Sequence, residues 1–487
     1  MISPKALLKS VGDGLATFAT SYRGYNAIDH GQTRRRTSPE VKSPDALLND
    51  QDRREMMESG RDLMRNFSAA SWAVRKHLDY VAGHSFQPLT GNEKFDRQLH
   101  DLMTEWSLPE NCDAGGRHSL RQMIRTAEGH SVLDGDCFLI KLENGTLAGL
   151  EGDRIRNEHD PIIYHDNLPG IRTIHGITLN EMNRPLSYSL YDKGMNEGYV
   201  YEYAGELPEW AVLHLAYFEG FDQIRGVSPL ASAIDSYADT VEMAKYARLK
   251  AKVAQMMAIT IYSDDPEVCG GNYDGFKELP QGPVFMPLAG GDRLEFHDSR
   301  TPATEFQDFI KLSLEIGMKA LDLDYAMFNG SDANFTTSKI VHQNYIKSCR
   351  TKRERIQTLL RHITVWKLMD WILTGKLKLP RGFNSIKDIK FEWVPDGQPW
   401  FDTKKELEAD ILAIQNNLKT YSEVRKATHG DDWMEVVRKR QEEDAILEAA
   451  GLKQEPPALS PEDQPTEDGD DEGDKKEPTQ EDDNGKA

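Results

Sequence analysis

The sequence predicts a mixed α+β fold, and three features carry that expectation. Apolar residues recur at helical spacing over long stretches, first at Met56, Met57, Leu63, Met64, Phe67, Trp72 and Leu78. The run Cys137-Phe138-Leu139-Ile140 followed by a Glu143-Asn144-Gly145 turn reads as a strand of a hairpin. Two long helical stretches, one starting at residue 228 and one near 337–373, lie on either side of a Gly- and Pro-containing segment with strand character.

Taken in order, residues 1–48 are polar, carry Arg34, Arg35 and Arg36 in a row, and read as a largely flexible arm. Helices are expected over 52–80, with a polar break near Ser68, then over 94–106 and 120–133. The hairpin at 137–145 and further strand-like segments through Leu213-His214-Leu215 complete an α+β domain over 49–227. At Ser228-Pro229 the texture changes, because Ser caps a helix well and Pro suits its first position. Leu230, Ile234, Tyr237, Ala238 and Val241 continue as an apolar stripe to about Met257. That is roughly 30 residues, or roughly 45 Å.

Residues 259–303 look like a small β insertion, with strands at 259–262 and 284–286. A helix returns over 304–324 with Phe306, Ile310, Leu314 and Leu321 on one face. Residues 325–337 then read as a polar loop, and the second long helix runs to Leu373 with Ile340, Ile356, Leu359, Leu360, Ile363 and Ile372 as its apolar positions. Residues 338–399 hold that helix and a return to the α+β domain. Helices follow over 400–452, one with Leu407, Ile411, Ile414 and Leu418, another after Gly430-Asp431-Asp432. The tail, 453–487, is Pro, Glu, Asp and Gly and is expected to be disordered.

Charge narrows the function classes. The formal charge is −21, and from Glu455 onward there are 13 acidic residues against three lysines, so about half of the excess sits in the tail. A protein that grips DNA by neutralising phosphates is expected to be basic. An acidic wall instead lets a polyanion slide past. Four cysteines, Cys112, Cys137, Cys269 and Cys349, lack metal-site or disulfide-framework spacing. The N-terminus shows no signal-peptide pattern and no apolar run reaches membrane length; the closest, 363–373, is broken by Lys367 and Asp370. The chain is therefore expected to be made in the cytoplasm and to avoid membranes.

Catalytic motifs are sparse. Gly375-Lys376 lacks the rest of a phosphate-binding loop, and Gly12-Asp13-Gly14 lacks a third glycine and a preceding strand. Asp468, Asp470, Glu472 and Gly473 imitate a calcium loop, but Thr479 stands where the bidentate Glu belongs. Asp322 and Asp324 are the remaining metal candidates, with helix capping or solvation as the plainer role. No cofactor and no metal are expected, and no catalysis. Two basic clusters, Lys245, Arg248, Lys250 and Lys252, then Lys347, Arg350, Lys352, Arg353, Arg355 and Arg361, read first as solvated faces or inter-subunit ion pairs and second as phosphate contacts.

Five motifs in order resemble the lambda-like portal family of tailed bacteriophages. They are Gly60-Arg61-Asp62-Leu63-Met64-Arg65-Asn66 with Val81-Ala82-Gly83, and Arg225-Gly226-Val227-Ser228-Pro229-Leu230 preceded by His214. Asn334-Phe335-Thr336-Thr337-Ser338-Lys339 is next, with Phe where the family has Tyr. Trp393-Val394-Pro395 with Phe401-Asp402-Thr403-Lys404-Lys405-Glu406 follows, Thr403 replacing a Pro. Gly430-Asp431-Asp432-Trp433 with Arg440, Glu442 and Gly451-Leu452 closes the set. Phe67-Ser68 departs from the family's usual Asn-Pro.

The resemblance implies a ring-forming portal-type fold, typically a dodecamer in the virion, located at a capsid vertex. Its wing would be 49–227, its stem the helices 228–258 and 304–324, its clip 259–303 and its crown 400–452. The loop 325–337 would line the DNA channel through Asn329, Ser331, Asp332, Asn334, Phe335 and Thr336. Arg225, Gly226, Ser228 and Pro229 would begin the stem, and Lys347, Arg350 and Arg353 would meet phosphate or a neighbouring subunit. The implied partners are the terminase large subunit, head-completion and tail connector proteins, major capsid or scaffold protein, and double-stranded DNA without sequence preference. A minor capsid component and a metal-dependent DNA-processing enzyme are the competing readings.

Overall fold

The computed structural model describes residues 43–157, 162–165, 170–193, 201–256, 259–262, 293–296, 304–330 and 334–452. A single turn, Pro44–Leu47 (α1), precedes Asp50–Asn66 (α2), which Asn49 caps by accepting from the Asp52 amide at 2.7 Å. Ser68–Val81 (α3) follows after a one-residue break at Phe67, where the sequence shows its polar interruption. The strand His84–Pro88 (β1) leads to Glu93–Trp106 (α4), the turn Pro109–Cys112 (α5) and Leu120–Asp134 (α6). α6 opens on a reciprocal Ser119–Gln122 capping box and stops at Gly135, whose φ of +94° only glycine adopts cheaply.

The hairpin expected after α6 is present. Asp136–Lys141 (β2) pairs antiparallel with Leu147–Glu151 (β3) across the turn at Gly145. An antiparallel meander of five strands follows: Ile162–Tyr164 (β4), Arg172–Ile174 (β5), Ile177–Leu179 (β6), Pro185–Lys193 (β7) and Tyr201–Pro208 (β8). Val212–Ala216 (β9) then returns to the other edge of β2, giving the order β3-β2-β9.

β2 is the divide between two cores. Side chains alternate across a strand, so Cys137 and Leu139 join Leu213 and Leu215 against the helices. Phe138 and Ile140 join Leu150, Val212, Ile177 and Tyr188 on the meander side. Being buried on both faces, the strand reads as a continuous apolar run rather than an alternating one.

Two expectations about the next helices are corrected. Pro229–Ser232 is a 3₁₀ turn, and the α-helix is Ile234–Met256 (α7), 23 residues or about 35 Å. The Ala233 amide bonds to the Leu230 carbonyl three residues back, which tightens the chain before α7 begins. The helix Thr304–Lys319 (α8) also ends five residues before 324. The amides of Leu321 and Leu323 both return to the Met318 carbonyl, burying the two leucines, while Asp322 takes φ +62°. Between α7 and α8, Ile259–Tyr262 (β10) pairs with Arg293–Phe296 (β11). The strand expected at 284–286 lies outside the described residues, as do 1–42, with Arg34, Arg35 and Arg36, and the acidic tail 453–487.

A short turn, Tyr325–Phe328 (α9), leads to Phe335–Leu373 (α10), 39 residues and about 59 Å. Its buried positions begin at Tyr345 and run through Ile356, Leu359, Leu360, Ile363 and Leu368 to Trp371. The hairpin turn at Gly145 docks on it: the Gly145 carbonyl accepts from Lys367 Nζ at 2.9 Å and from Trp106 Nε1 at 3.0 Å. Phe391–Pro395 (β12) pairs with β1, and Trp393 donates to the Thr364 hydroxyl of α10 at 2.9 Å. Thr403–Gln415 (α11) and Tyr421–Thr428 (α12) follow. Leu407, Ile411 and Leu418 are all exposed, so that expected stripe is unburied in the single chain. The described residues up to Asp432 form one unit, and those from Trp433 form a second, the helix Trp433–Ala449 (α13), with no buried residue.

Because Leu139 fills the helical core from the middle of β2, Leu139→Ala is expected to lower unfolding free energy by about 2–5 kcal/mol. Urea unfolding followed by tryptophan fluorescence checks this.

Candidate functional site

The segment 224–229, expected to open the stem, forms a buried joint just before α7. Arg225 is fully buried, and each of its five N–H donors has an acceptor. Nε and one Nη2 bond go to Asp136; the remaining bonds reach the carbonyls of Gly152 (2.8 Å), Ile155 (2.6 Å) and His175 (2.7 Å). The Phe138 ring lies 5.3 Å from the guanidinium. Asp136 also accepts from the Gly226 amide and contacts His214, which stacks on Phe138. Burial alone would raise the Asp136 pKa, but the Arg225 charge and hydrogen bonds outweigh it and hold the carboxyl far below the carboxylate range.

Backbone groups lock the same segment. Asp45 accepts from the Ile224 and Arg225 amides, and Arg53 donates to the Gly226 carbonyl at 3.0 Å. A Cβ on Gly226 would lie 2.0 Å from the Gly135 carbonyl oxygen, so the two glycines permit a backbone approach that no side chain would. Ser228 donates to the Val132 carbonyl and accepts from the Leu230 amide, and Pro229 begins the 3₁₀ turn. Arg225, Gly226, Ser228 and Pro229 therefore fasten the start of the helical pair to α6 and β2.

A second buried cluster ties α10 to the same framework. Glu128 of α6 contacts His77 Nε2 (3.1 Å) and accepts from Tyr217 (2.7 Å) and Arg355 (2.9 Å). Arg355 also lies 3.5 Å from the Tyr217 ring centroid and donates to the Ala216 carbonyl. Burial raises the Glu128 pKa, yet His77 and Arg355 bring it below its usual value; burial lowers that of His77.

These contacts correct the reading of the basic cluster on the long helix. Arg353 is half-buried: its Nε donates to the Tyr80 carbonyl at 2.8 Å, its Nη2 meets no partner among the described residues, and burial lowers its pKa. Lys352 binds the Leu321 carbonyl and Asp322. Lys347 and Arg350 do lie exposed. The helix turns Arg353 and Arg355 inward because it packs on α3 and β9, partners that its local sequence does not reveal.

The polar segment after α8 is shorter than expected. Asp324 caps α9, accepting from the Ala326 amide, and pairs with Lys319 at 3.0 Å. Phe328 packs edge-on to Trp72 at 5.1 Å, and Asn329 caps the C-terminus of α9. Asn334 caps α10 by accepting from the Thr337 amide at 2.8 Å, so Phe335 and Thr336 are helical, not loop. Phe335 is 56% exposed and meets Phe401 at 5.0 Å. Ser331 and Asp332 lie outside the described residues. Among the described residues no group of three His, Cys, Asp or Glu side chains is placed to hold a metal, and no helix is long and apolar enough to cross a membrane.

Sequence reasoning did not foresee a cleft of about 1230 Å³ between the exposed half of α10, β12, α11 and α12. Its walls carry both charges, with ion pairs Lys339–Glu406 and Lys426–Glu392. The residues come from 339–428 and no local motif joins them.

The family model described as "Phage portal protein, lambda family" matches residues 30–353. Portal protein B of Escherichia phage lambda is 22% identical over 509 aligned positions, spanning 92% of this chain and 93% of its own. The portal protein of Escherichia phage N15 is also 22% identical, spanning 92% and 94%. A chain in the virion of the native gene transfer agent particle superposes with a TM-score of 0.47 at 14% identity, covering 77% of this chain and 92% of that one.

Two buried histidines, His175 in the joint and His84 on β1, carry a pH signature. Burial, with the nearby Arg53 charge, pushes the His175 pKa down to about 3, and burial pushes that of His84 to about 4, from an ordinary 6.5. Both are neutral when folded, so their contribution is fully present above pH 6.5 and is lost as pH falls through those folded values. His175 sits at φ +45°, which Asn tolerates. His175→Asn is expected to reduce the slope of stability against pH between 6 and 4 by about one proton, roughly 1.4 kcal/mol per pH unit. Urea titrations at several pH values measure it.

Proposed function

The chain belongs to the lambda family of phage portal proteins, the head–tail connectors of the tailed-phage virion, and we propose that it does this work as a closed ring of identical subunits around a DNA channel. The ring is taken to be a dodecamer in the virion. Its wing would be 49–227 and its crown 400–452. The stem would be α7 and α8, joined to the wing through Arg225, and the clip the insertion between them.

The observation that supports the channel reading most directly is the two-part state of α10. Its buried positions start at Tyr345, and no residue from Asn334 to Asn344 is buried. The core thus holds the C-terminal part of a helix of about 59 Å, and the polar segment 329–334 precedes its other end. That segment has no Lys or Arg. Asn329, Ser331, Asp332 and Asn334, with Phe335 and Thr336 just inside the helix, offer hydrogen bonds and one ring to a passing duplex without clamping phosphate, which salt-dependent ion pairing would do. Double-stranded DNA is then a transient partner without sequence preference. Lys347 and Arg350, exposed on the same helix, remain candidates for phosphate or a neighbouring subunit.

The clip would receive the terminase large subunit during packaging and the head-completion and tail connector proteins afterwards. The wing would face major capsid or scaffold protein at the capsid vertex. Assembly would begin in the host cytoplasm, without a membrane partner. We assign no catalytic step and no cofactor. Asp322 and Asp324, the carboxylates a metal-dependent nuclease would use, are each paired with a lysine.

Negative-stain electron microscopy of the purified full-length chain, with mass from light scattering, tests the proposal. Rings whose central channel admits a duplex are expected. A stable monomer that also fails to form rings with scaffold or capsid protein would overturn the channel reading.

A further inference from the structure

The cleft beside α10 has an unfinished strand as one wall. Among the described residues β12 pairs with β1 alone, so it is an edge strand, and its whole length lines the cleft. The Leu89 amide bonds to the Lys390 carbonyl and the Asp396 amide to the Gly83 carbonyl, which sets the phase of the ladder. Residues 392 and 394 therefore turn their backbone groups to β1, while Phe391 and Trp393 turn theirs away from it. On that open side the Trp393 carbonyl accepts from the Gln357 side chain of α10 at 2.9 Å. The Phe391 and Trp393 amides and the Phe391 carbonyl meet no partner among the described residues.

The charges around this edge are unbalanced in one direction. Every carboxylate lining the cleft already has an ion-pair or capping partner within the chain. Four of its cations, Arg353, Arg361, Lys387 and Lys390, pair with no carboxylate among the described residues. Arg353, Gln357 and Arg361 recur at every fourth residue of α10 and so form one row beside the strand. The outer two stand about 12 Å apart along the helix. Residues i and i+4 of an extended strand share a face and lie about 13 Å apart. Arg353 Nη2 is unpartnered among the described residues, and Arg361, Lys387 and Lys390 are exposed.

We propose that β12 accepts an added strand from a partner protein, an extended acidic segment with carboxylates at positions i and i+4. Its backbone completes the ladder at Phe391 and Trp393, and its carboxylates meet Arg353 and Arg361. Lys387 and Lys390 draw it in. Nucleic acid suits the cleft less well, because a phosphate chain gains nothing from a strand edge and meets five wall carboxylates. Acidity alone is not enough either. The stretch from Glu455 onward is acidic but broken by prolines, which cannot donate to a ladder. The site is made within one subunit and stands whether or not the subunits close into a ring.

Fluorescence anisotropy with the full-length chain tests it. The probe is a short fluorescein-labelled peptide of Val and Thr carrying Glu at positions i and i+4. Saturable binding is expected, and its absence would overturn the proposal. Moving the second Glu to i+3 puts it on the other face of the strand and should weaken binding about tenfold, the worth of one charge-assisted hydrogen bond. Methylating one alternate set of the peptide's backbone nitrogens should abolish binding, and methylating the other set should leave it intact. If the two methylated peptides behave alike, strand addition is wrong. Arg361→Gln with Lys387→Gln, both at exposed positions, should also weaken binding about tenfold or more. Unchanged binding by that variant would put the peptide elsewhere and overturn the site. A short DNA duplex that displaces the peptide at equal concentration would mark a phosphate surface instead. A synthetic peptide of residues 455–487 that binds as tightly as the probe would show that charge alone suffices, and it too would overturn the proposal.

Discussion

A guanidinium sealed from water is costly unless every donor is met, and Arg225 meets the cost with five acceptors drawn from three separate stretches of chain. Asp136 at the start of β2, the carbonyls of Gly152 and Ile155 after β3, and that of His175 before β6 all converge on it. The geometry leaves little freedom. If the meander shifts, a carbonyl is lost; if β2 slips by one residue, the carboxylate turns to the other face. The same segment carries Gly226 against Gly135, so the backbone leading to α7 is fixed in direction as well as in place.

The second cluster extends the constraint. Glu128 sits on α6, the helix whose C-terminal glycine faces Gly226, and it draws Arg355 of α10 inward. Thus the long helix, the start of the helical pair and the central strand are referred to one another by buried charge. What remains outside is as informative. The first part of α10, the outer faces of α7 and α8, and the α11 stripe of Leu407, Ile411 and Leu418 keep apolar or charged groups in water. These exposed faces around an ordered core are surfaces that the proposed ring would cover.

Much of the fold was legible where the signal is local. Helical spacing located α2, α3, α4 and α6 to within two residues, and Asn144-Gly145 located the hairpin. The joint was not legible in its chemistry. Arg225 was singled out as the start of a helix, but its partner lies 89 residues earlier, and no local pattern pairs them. One clue was present: Asp136 stands directly before the fully apolar run 137–140, where a charge needs a buried partner. The polar loop was overdrawn because Asn334, Thr336 and Thr337 suit turns and helix starts equally, and only the Asn334 cap decides between them. The α7 stripe was overextended for the opposite reason. Leu230, Ile234 and Tyr237 are buried, but Ala238 is exposed and the charges after Thr240 surround the helix.

The measurement that tests the central role of the joint is a double-mutant cycle on Arg225→Met and Asp136→Asn, read from urea unfolding of the full-length chain. Each single variant leaves a buried, unpaired group and should lose about 3–5 kcal/mol, while the pair together should lose much less than the sum. Losses that add to within about 0.5 kcal/mol would show that the two residues act independently and would contradict the account.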